Sequence, residues 1–243
     1  MTRRRWIADD WDEHTASLKG EQAAHLIRVL RAQAGMECDM VAGDRVWRAV
    51  ISGVSGDAVR FTLLSEVEAD PALPVTVLLS IFKFDRMEWI IEKATELGAE
   101  RLIPMIARRS EKHLAQAATT RAERWRRVAV EASKQARRSD LLQIDEPLPL
   151  KTALRAEENA VRIVLAEQER STTLRHALSE ALIAAGDEVP SIRIAVGPEG
   201  GWTGEEEAMF DAERWKAVSL GPRILRAETA AITAMAVAAA LLE

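Results

Sequence analysis

Two glycine-rich stretches carry the side chains best placed to do chemistry. VGPEGGWTGEEE (196–207) sets glycines at 197, 200, 201 and 204 between an apolar run and an acidic helix start, and LGPRILRAETAA (220–231) breaks on Gly-Pro and places Arg226 two residues before Glu228. Glycines let a backbone approach a ligand closely and reach positive φ. An arginine and a glutamate this close could steady a developing anion and accept a proton. They could equally be a capping carboxylate with its ion partner, and the glycines could serve an ordinary strand-to-helix turn. Thr203 followed by Glu206 reads as a capping box, so that helix start already has partners and acids in its first turn, which argues against a phosphate there. The stretch lacks the lysine of a P-loop and the spacing of GxGxxG, which speaks against nucleotide hydrolysis and dinucleotide binding.

The elements that must position these loops follow from apolar patterning. VTVLLSI (75–81) is a continuous run of strand length, suited to a strand buried on both faces of a parallel sheet. Further short strands are expected at 102–106, 161–166, 192–197 and 217–220, with helices at 86–97, capped by Gly98, and near 119–137, 171–185, 203–215 and 227–242. In such sheets ligands bind beyond the carboxyl ends of the strands, which directs attention to the two glycine-rich loops. Before ADPALP (69–74) the pattern differs. A candidate helix at 20–31 precedes the β-favouring runs CDMVA, RVWRAVI and AVRFTLL, the signature of a small antiparallel β-domain. Two domains are therefore expected, 1–70 and 75–243, the larger being α/β with a mainly parallel sheet. The alanine-rich helix at 227–242 reads as buried core whose small residues would also suit a dimer contact.

Composition narrows the classes. With 48% hydrophobic residues in 243, a full core is available. AAITAMAVAAALL (230–242) falls short of the roughly 20 residues that cross a bilayer, and MTRRRWIADDWDE lacks the apolar stretch of a secretory signal, so a cytoplasmic protein is expected. A single cysteine, Cys38, and four scattered histidines give no metal-ligand spacing, and no metal is expected. Net charge is −5, yet residues 101–140 hold eleven Lys or Arg against four acids, 11 − 4 = +7. Such a segment could bind RNA phosphates or simply be a solvated helix face.

GPEGGWTGEE (197–206) and LGPRILRAETA (220–230) resemble the two C-terminal signatures of the RsmE family of 16S rRNA uridine-N3 methyltransferases. FKFDRMEWIIEKATELGAERLIPMIARRSEKH (82–113) and HLIRVLRAQAGM (25–36) resemble that family's other segments, so the likeness spans nearly the whole chain. This sequence departs from the pattern at Lys134-Gln135-Ala136-Arg137-Arg138, where the family carries Glu-Gln, a small residue and glycine before the arginine, and a leucine follows in place of the usual proline. Ala42-Gly43-Asp44 likewise replaces the family's Phe-Asp-Gly-like turn.

The resemblance implies a SPOUT α/β-knot, with a deep C-terminal trefoil knot in a mainly parallel sheet, preceded by a PUA-like β-barrel that binds RNA. It implies an obligate homodimer, S-adenosylmethionine as methyl donor, and methylation at N3 of one decoding-region uridine of 16S rRNA in the assembled 30S subunit. The cofactor site it implies comprises Leu165, Gly197, Pro198, Glu199, Gly200, Gly201, Leu220, Gly221, Ile224, Leu225, Arg226, Thr229 and Ala230, with adenine held mainly by backbone groups. Arg226 and Glu228 are the expected catalytic pair, the arginine holding the uracil anion at a carbonyl oxygen and the glutamate orienting it or accepting the N3 proton; the pair could also be purely architectural. Arg28, Arg31, Lys83, Arg86, Arg108, Arg109 and Arg138 are the expected phosphate contacts.

Overall fold

The structure, a computed structural model, describes residues 5–43, 45–68, 71–136, 138–155 and 160–242. Asp44 of the expected turn, Ala69 and Asp70 of the expected linker, and Arg137 lie outside the described residues. The chain divides into two compact units, 1–71 with 133–140, and 72–132 with 141–243. The short segment 133–140, at the end of a long helix, thus groups with the first unit although it is far from it in sequence.

The first unit is a six-stranded sheet, β1 (Arg5–Ile7), β2 (Asp10–Trp11), β3 (Thr15–Leu18), β4 (Glu37–Ala42), β5 (Arg45–Ser55) and β6 (Ala58–Val67), in the order β1-β4-β5-β6-β3-β2. Neighbours run antiparallel, as expected for the runs at 36–66, except β1, a strand the pattern did not announce, which pairs parallel with β4. Residues 5–18 carry no period-2 apolar signal, and their three short strands depend on edges supplied by β4 and β6. Alternation is plain in β6, where Val59, Phe61 and Leu63 face the core. Helix α1 (Gly20–Arg28) buries Ala23 and Leu26 and ends short of the expected residue 31, where Arg31 adopts φ 52°.

The second unit holds a wholly parallel seven-stranded sheet. Its strands are β7 (Leu73–Ser80), β8 (Ala99–Ile106), β9 (Gln143–Ile144), β10 (Leu148–Pro149), β11 (Val161–Leu165), β12 (Ile192–Val196) and β13 (Lys216–Val218). The order is β10-β8-β7-β12-β11-β13, with β9 also on β8. Helices α2 (Phe84–Glu96), α3 (Lys112–Ala136), α5 (Leu174–Ala185) and α7 (Ala227–Leu242) pack into one core with Val75, Val77, Leu79, Ile192, Ile194 and Val196. The alternate residues Leu78 and Ala195 join the opposite core with α4 (Leu150–Ala153) and α6 (Gly204–Ala212). Burial on both faces explains why these strands read as unbroken apolar runs.

Helix α3 starts at Lys112, well before the expected 119, and buries Ala118, Ala122, Trp125 and Ala129 at helical spacing. Its many cations are largely committed to acids. Arg124 forks onto Glu88 at 2.6 and 2.8 Å and holds that carboxyl below its usual range. Arg126 reaches Glu146 at 2.6 Å, Arg101 forks onto Asp145, and Arg121 lies 5.1 Å over the Phe84 ring. Three of the seven excess charges between 101 and 140 are therefore balanced by Glu88, Asp145 and Glu146, which lie outside that window. No helix among the described residues is long and apolar enough to cross a membrane.

Burial pushes the Cys38 thiol up to about 12, above the roughly 8.5 of a free thiol. The neutral thiol favours folding fully below the unfolded value, and that contribution fades as pH rises toward 12. Native protein should therefore resist iodoacetamide at pH 8 while denatured protein labels fully, as intact-mass spectrometry would record; rapid native labelling would contradict the buried placement.

Candidate functional site

Because β7, β8, β11, β12 and β13 run in one direction, the segments that follow them emerge at the same edge of the sheet. Three of these, after Leu165, Val196 and Val218, wall a cavity of about 560 Å³, within the range of ligand sites. Of the expected cofactor residues, Leu165, Gly197, Pro198, Glu199, Gly200, Gly201, Leu220, Gly221, Ile224, Leu225, Arg226 and Ala230 line it. Thr229 does not; it is exposed on the first turn of α7, off the cavity wall. Ala166, Glu167, Gln168 and Arg170 also line the cavity, as do Trp202, Ser219 and Arg223. The segment after Leu165 carries no glycine or motif of its own; the resemblance points to it, and its strand's place beside β12 and β13 brings it here.

The 197–203 loop is fixed from several sides. Trp202 donates its Nε1–H to the Leu165 carbonyl at 3.0 Å and packs edge-on against Phe210, with ring centroids 4.7 Å apart. A Cβ at Gly197 would come within 3.1 Å of the Trp202 ring, and one at Gly200 within 3.1 Å of the Arg109 side chain. Gly201, at φ +68°, occupies the left-handed region. Arg109 donates to the carbonyls of Gly200 and Trp202. Expected as a phosphate contact, it grips the glycine loop through Nη1.

Glu206 completes the frame. Its carboxylate, 4% exposed, forms the expected capping box with Thr203, accepting the Thr203 N–H at 2.9 Å, and also accepts the Arg108 N–H at 2.7 Å from the segment after β8. One buried anion thus ties two strand-end segments together. The capping-box spacing is legible in sequence; the second bond, across 98 residues, is not.

The Arg226–Glu228 ion pair that the architectural alternative would need is absent among the described residues, and Glu228 meets a different cation. Arg86, on the first turn of α2, contacts Glu199 and stands 3.5 Å from Glu228 Oε2. Glu228 is 5% exposed, its Oε2 has no hydrogen-bond partner, and it lies behind Arg86 rather than on the cavity wall. Glu228 sits in the first turn of α7, near the helix N-terminus and beside Arg86. Arg226 is exposed on the cavity wall.

The remaining expected phosphate contacts fall into two groups. Arg28, Arg31, Lys83 and Arg108 have exposed side chains that form no ion pair among the described residues. Arg138, whose side chain is buried, forks onto Asp140, so its guanidinium is held internally. No group of three or more His, Cys, Asp or Glu able to hold a metal occurs among the described residues.

Known proteins share this arrangement. Residues 69–239 match the family described as RNA methyltransferase domain. The chain is 35% identical over 237 residues to ribosomal RNA small subunit methyltransferase E of Synechocystis, covering 95% of this chain and 75% of that one. It is 31% identical over 225 residues to the protein of that name from Bacillus subtilis, covering 91% and 88%. The crystal structure of a ribosomal RNA small subunit methyltransferase E from Neisseria gonorrhoeae bound to S-adenosyl methionine superposes with a TM-score of 0.76 at 25% identity, covering 97% of this chain and 96% of that one.

Removing the Glu206 carboxylate would strand buried donors on two segments at once. Glu206→Ala should lower unfolding stability by about 2–4 kcal/mol, read from the denaturant midpoint at unchanged slope. A loss within experimental error would show that the two segments hold together without it.

Proposed function

This chain belongs to the ribosomal RNA small subunit methyltransferase E family, and from that membership we propose that it methylates N3 of uridine 1498 of 16S rRNA, in the usual rRNA numbering, within the assembled 30S subunit. It is an S-adenosylmethionine-dependent rRNA methyltransferase. The observation that carries the reading is the cavity itself: the two glycine-rich signatures, separated along the chain by α6 and β13, meet in one wall.

The residues fit the cofactor. Leu165, Leu220 and Leu225 offer apolar surface for adenine, while the backbone of 197–201 and 220–221 stays accessible because glycines leave it uncovered. Glu199 and Arg86 supply charged groups on the same wall for the zwitterionic end. When bound, S-adenosylmethionine supplies a methyl group already activated by the sulfonium charge. No protein nucleophile is needed, so the chain's work is to align the uracil and deal with its N3 proton. Arg226, exposed on the wall, holds the developing uracil anion at a carbonyl oxygen. Glu228 takes the proton or, through Arg86, which stands 3.5 Å from its Oε2, sets the position of Glu199.

Arg28, Arg31, Lys83 and Arg108 contact RNA phosphates in this reading, and Arg138 supports the RNA-facing backbone from inside. The same membership implies a PUA-like first unit, a trefoil knot in the second, and a cytoplasmic homodimer. Helix α7 supports the dimer, since Thr233, Ala236 and Ala240 give the face turned from the core only small, uncharged side chains. Sedimentation should give twice the chain mass, and Ala236→Arg should shift it toward the monomer; a native monomer would reject the dimer.

The activity test is transfer of a labelled methyl group to unmodified 30S subunits, with the site mapped by reverse-transcription stops. One stop at the named uridine is expected, and stops elsewhere would move the substrate. S-adenosylmethionine at roughly 100-fold its Kd should stabilise the fold by about 2.7 kcal/mol. Glu228→Gln should lower kcat by roughly 10²- to 10⁴-fold with cofactor affinity retained; unchanged turnover would reject the base role.

A further inference from the structure

The cavity wall contains arginines of two kinds. Arg86 and Arg109 are engaged, the first with Glu199 and Glu228, the second with the carbonyls of the glycine loop. Arg170 and Arg223 are exposed, line the same cavity, and make no side-chain hydrogen bond or ion pair among the described residues. Neither belongs to the basic stretch at 101–140. Glu167 and Glu207 also line the cavity, yet neither pairs with these arginines. Glu169, the acid next to Arg170, accepts from Ser171 N–H and Oγ–H at 2.6 Å and from Thr172 N–H at 2.9 Å.

The two arginines are carried on a shared frame. Their segments leave adjacent parallel strands, β11 and β13, where Leu165 pairs with Val218. Beyond the strands they are tied again: Ser219 N–H donates to the Thr172 carbonyl and Leu174 N–H to the Ser219 carbonyl, both at 2.9 Å. The Glu169 turn fixes the backbone beside Arg170, and its carboxyl, held at about 2 by those donors, stays ionised at any working pH. Cations on a fixed frame lose less freedom when they bind an anion than cations on loose loops.

We propose that Arg170 and Arg223 form a two-loop clamp at the cavity mouth that holds a backbone phosphate of the substrate RNA beside the nucleotide being modified. Guanidinium forks match phosphate oxygens in a bidentate way, and two from separate loops fix position as well as charge. A carboxylate on the bound cofactor is the other available anion. Exposure of both side chains favours the larger, solvent-borne ligand. The inference rests on the assignment of the cavity to S-adenosylmethionine.

The test is binding of 30S subunits to the native protein and to the Arg170→Gln/Arg223→Gln double variant across a salt series without cofactor, with the Lys/Lys double variant as control. Each lost phosphate contact should flatten the log K against log salt slope by about 0.7 to 0.9, so the Gln pair, whose arginines share one phosphate, should flatten it by about that much and the Lys pair should keep the slope. Both positions are exposed, so the apo melting temperature should stay within a few degrees and verify folding. An unchanged slope overturns the clamp. An unchanged slope with weakened S-adenosylmethionine binding, read by calorimetry, also overturns it and assigns the arginines to the cofactor's carboxylate. Failure of the native protein to bind S-adenosylmethionine would sink the cofactor assignment alone, because the salt slope is read without it and still decides the clamp.

Discussion

Parallel pairing of β7 with β12, β12 with β11, and β11 with β13 is the constraint from which the site follows. Hydrogen-bonded in one direction, these strands must deliver their carboxyl-terminal loops to one edge. The backbone groups that a strand no longer satisfies there become available to a ligand, provided nothing covers them. Gly197 and Gly200 matter for that reason: at each, a single added methyl group would press against a side chain that braces the loop.

The loops are held by unequal means, and this difference organises the charges. Buried Glu206 joins the segment after β8 to the 203 cap with short bonds, and Arg109 grips the carbonyls of the loop between. These groups are committed to architecture. Cations outside this frame, such as Arg170, Arg223 and Arg226, remain on the cavity surface. The same division runs through helix α3, where arginines that look free in sequence are forked onto acids from other elements. A charge count along the chain cannot separate the two kinds, because an ion pair depends on neighbours in space.

Glu228 illustrates how a charged residue can find its partner far away in sequence. Its place in the first turn of a helix is readable from the pattern, and burial against the helix dipole is consistent with that. Its nearest cation, however, comes from α2, 142 residues earlier (228 − 86 = 142), because α2 and α7 pack on the same face of the sheet. Arg226, two residues away, stands on the cavity wall instead. Proximity in sequence makes the pair look natural, but Arg226 lies before α7 and Glu228 within its first turn.

Sequence by itself determined the class of this protein. Apolar runs of strand length, helices between them and glycine-rich turns after two strands were enough for an α/β domain, since these features depend on local conformational preference and periodic burial; the methyltransferase class came from the resemblance of the ordered segments to a known family. The short strands at 5–18, the parallel β1–β4 pair and the engagement of Arg109 and Arg138 were decided only by tertiary structure. Each of these depends on an edge, a carbonyl or a carboxylate supplied by another part of the fold, and no local pattern of residues encodes which group will arrive.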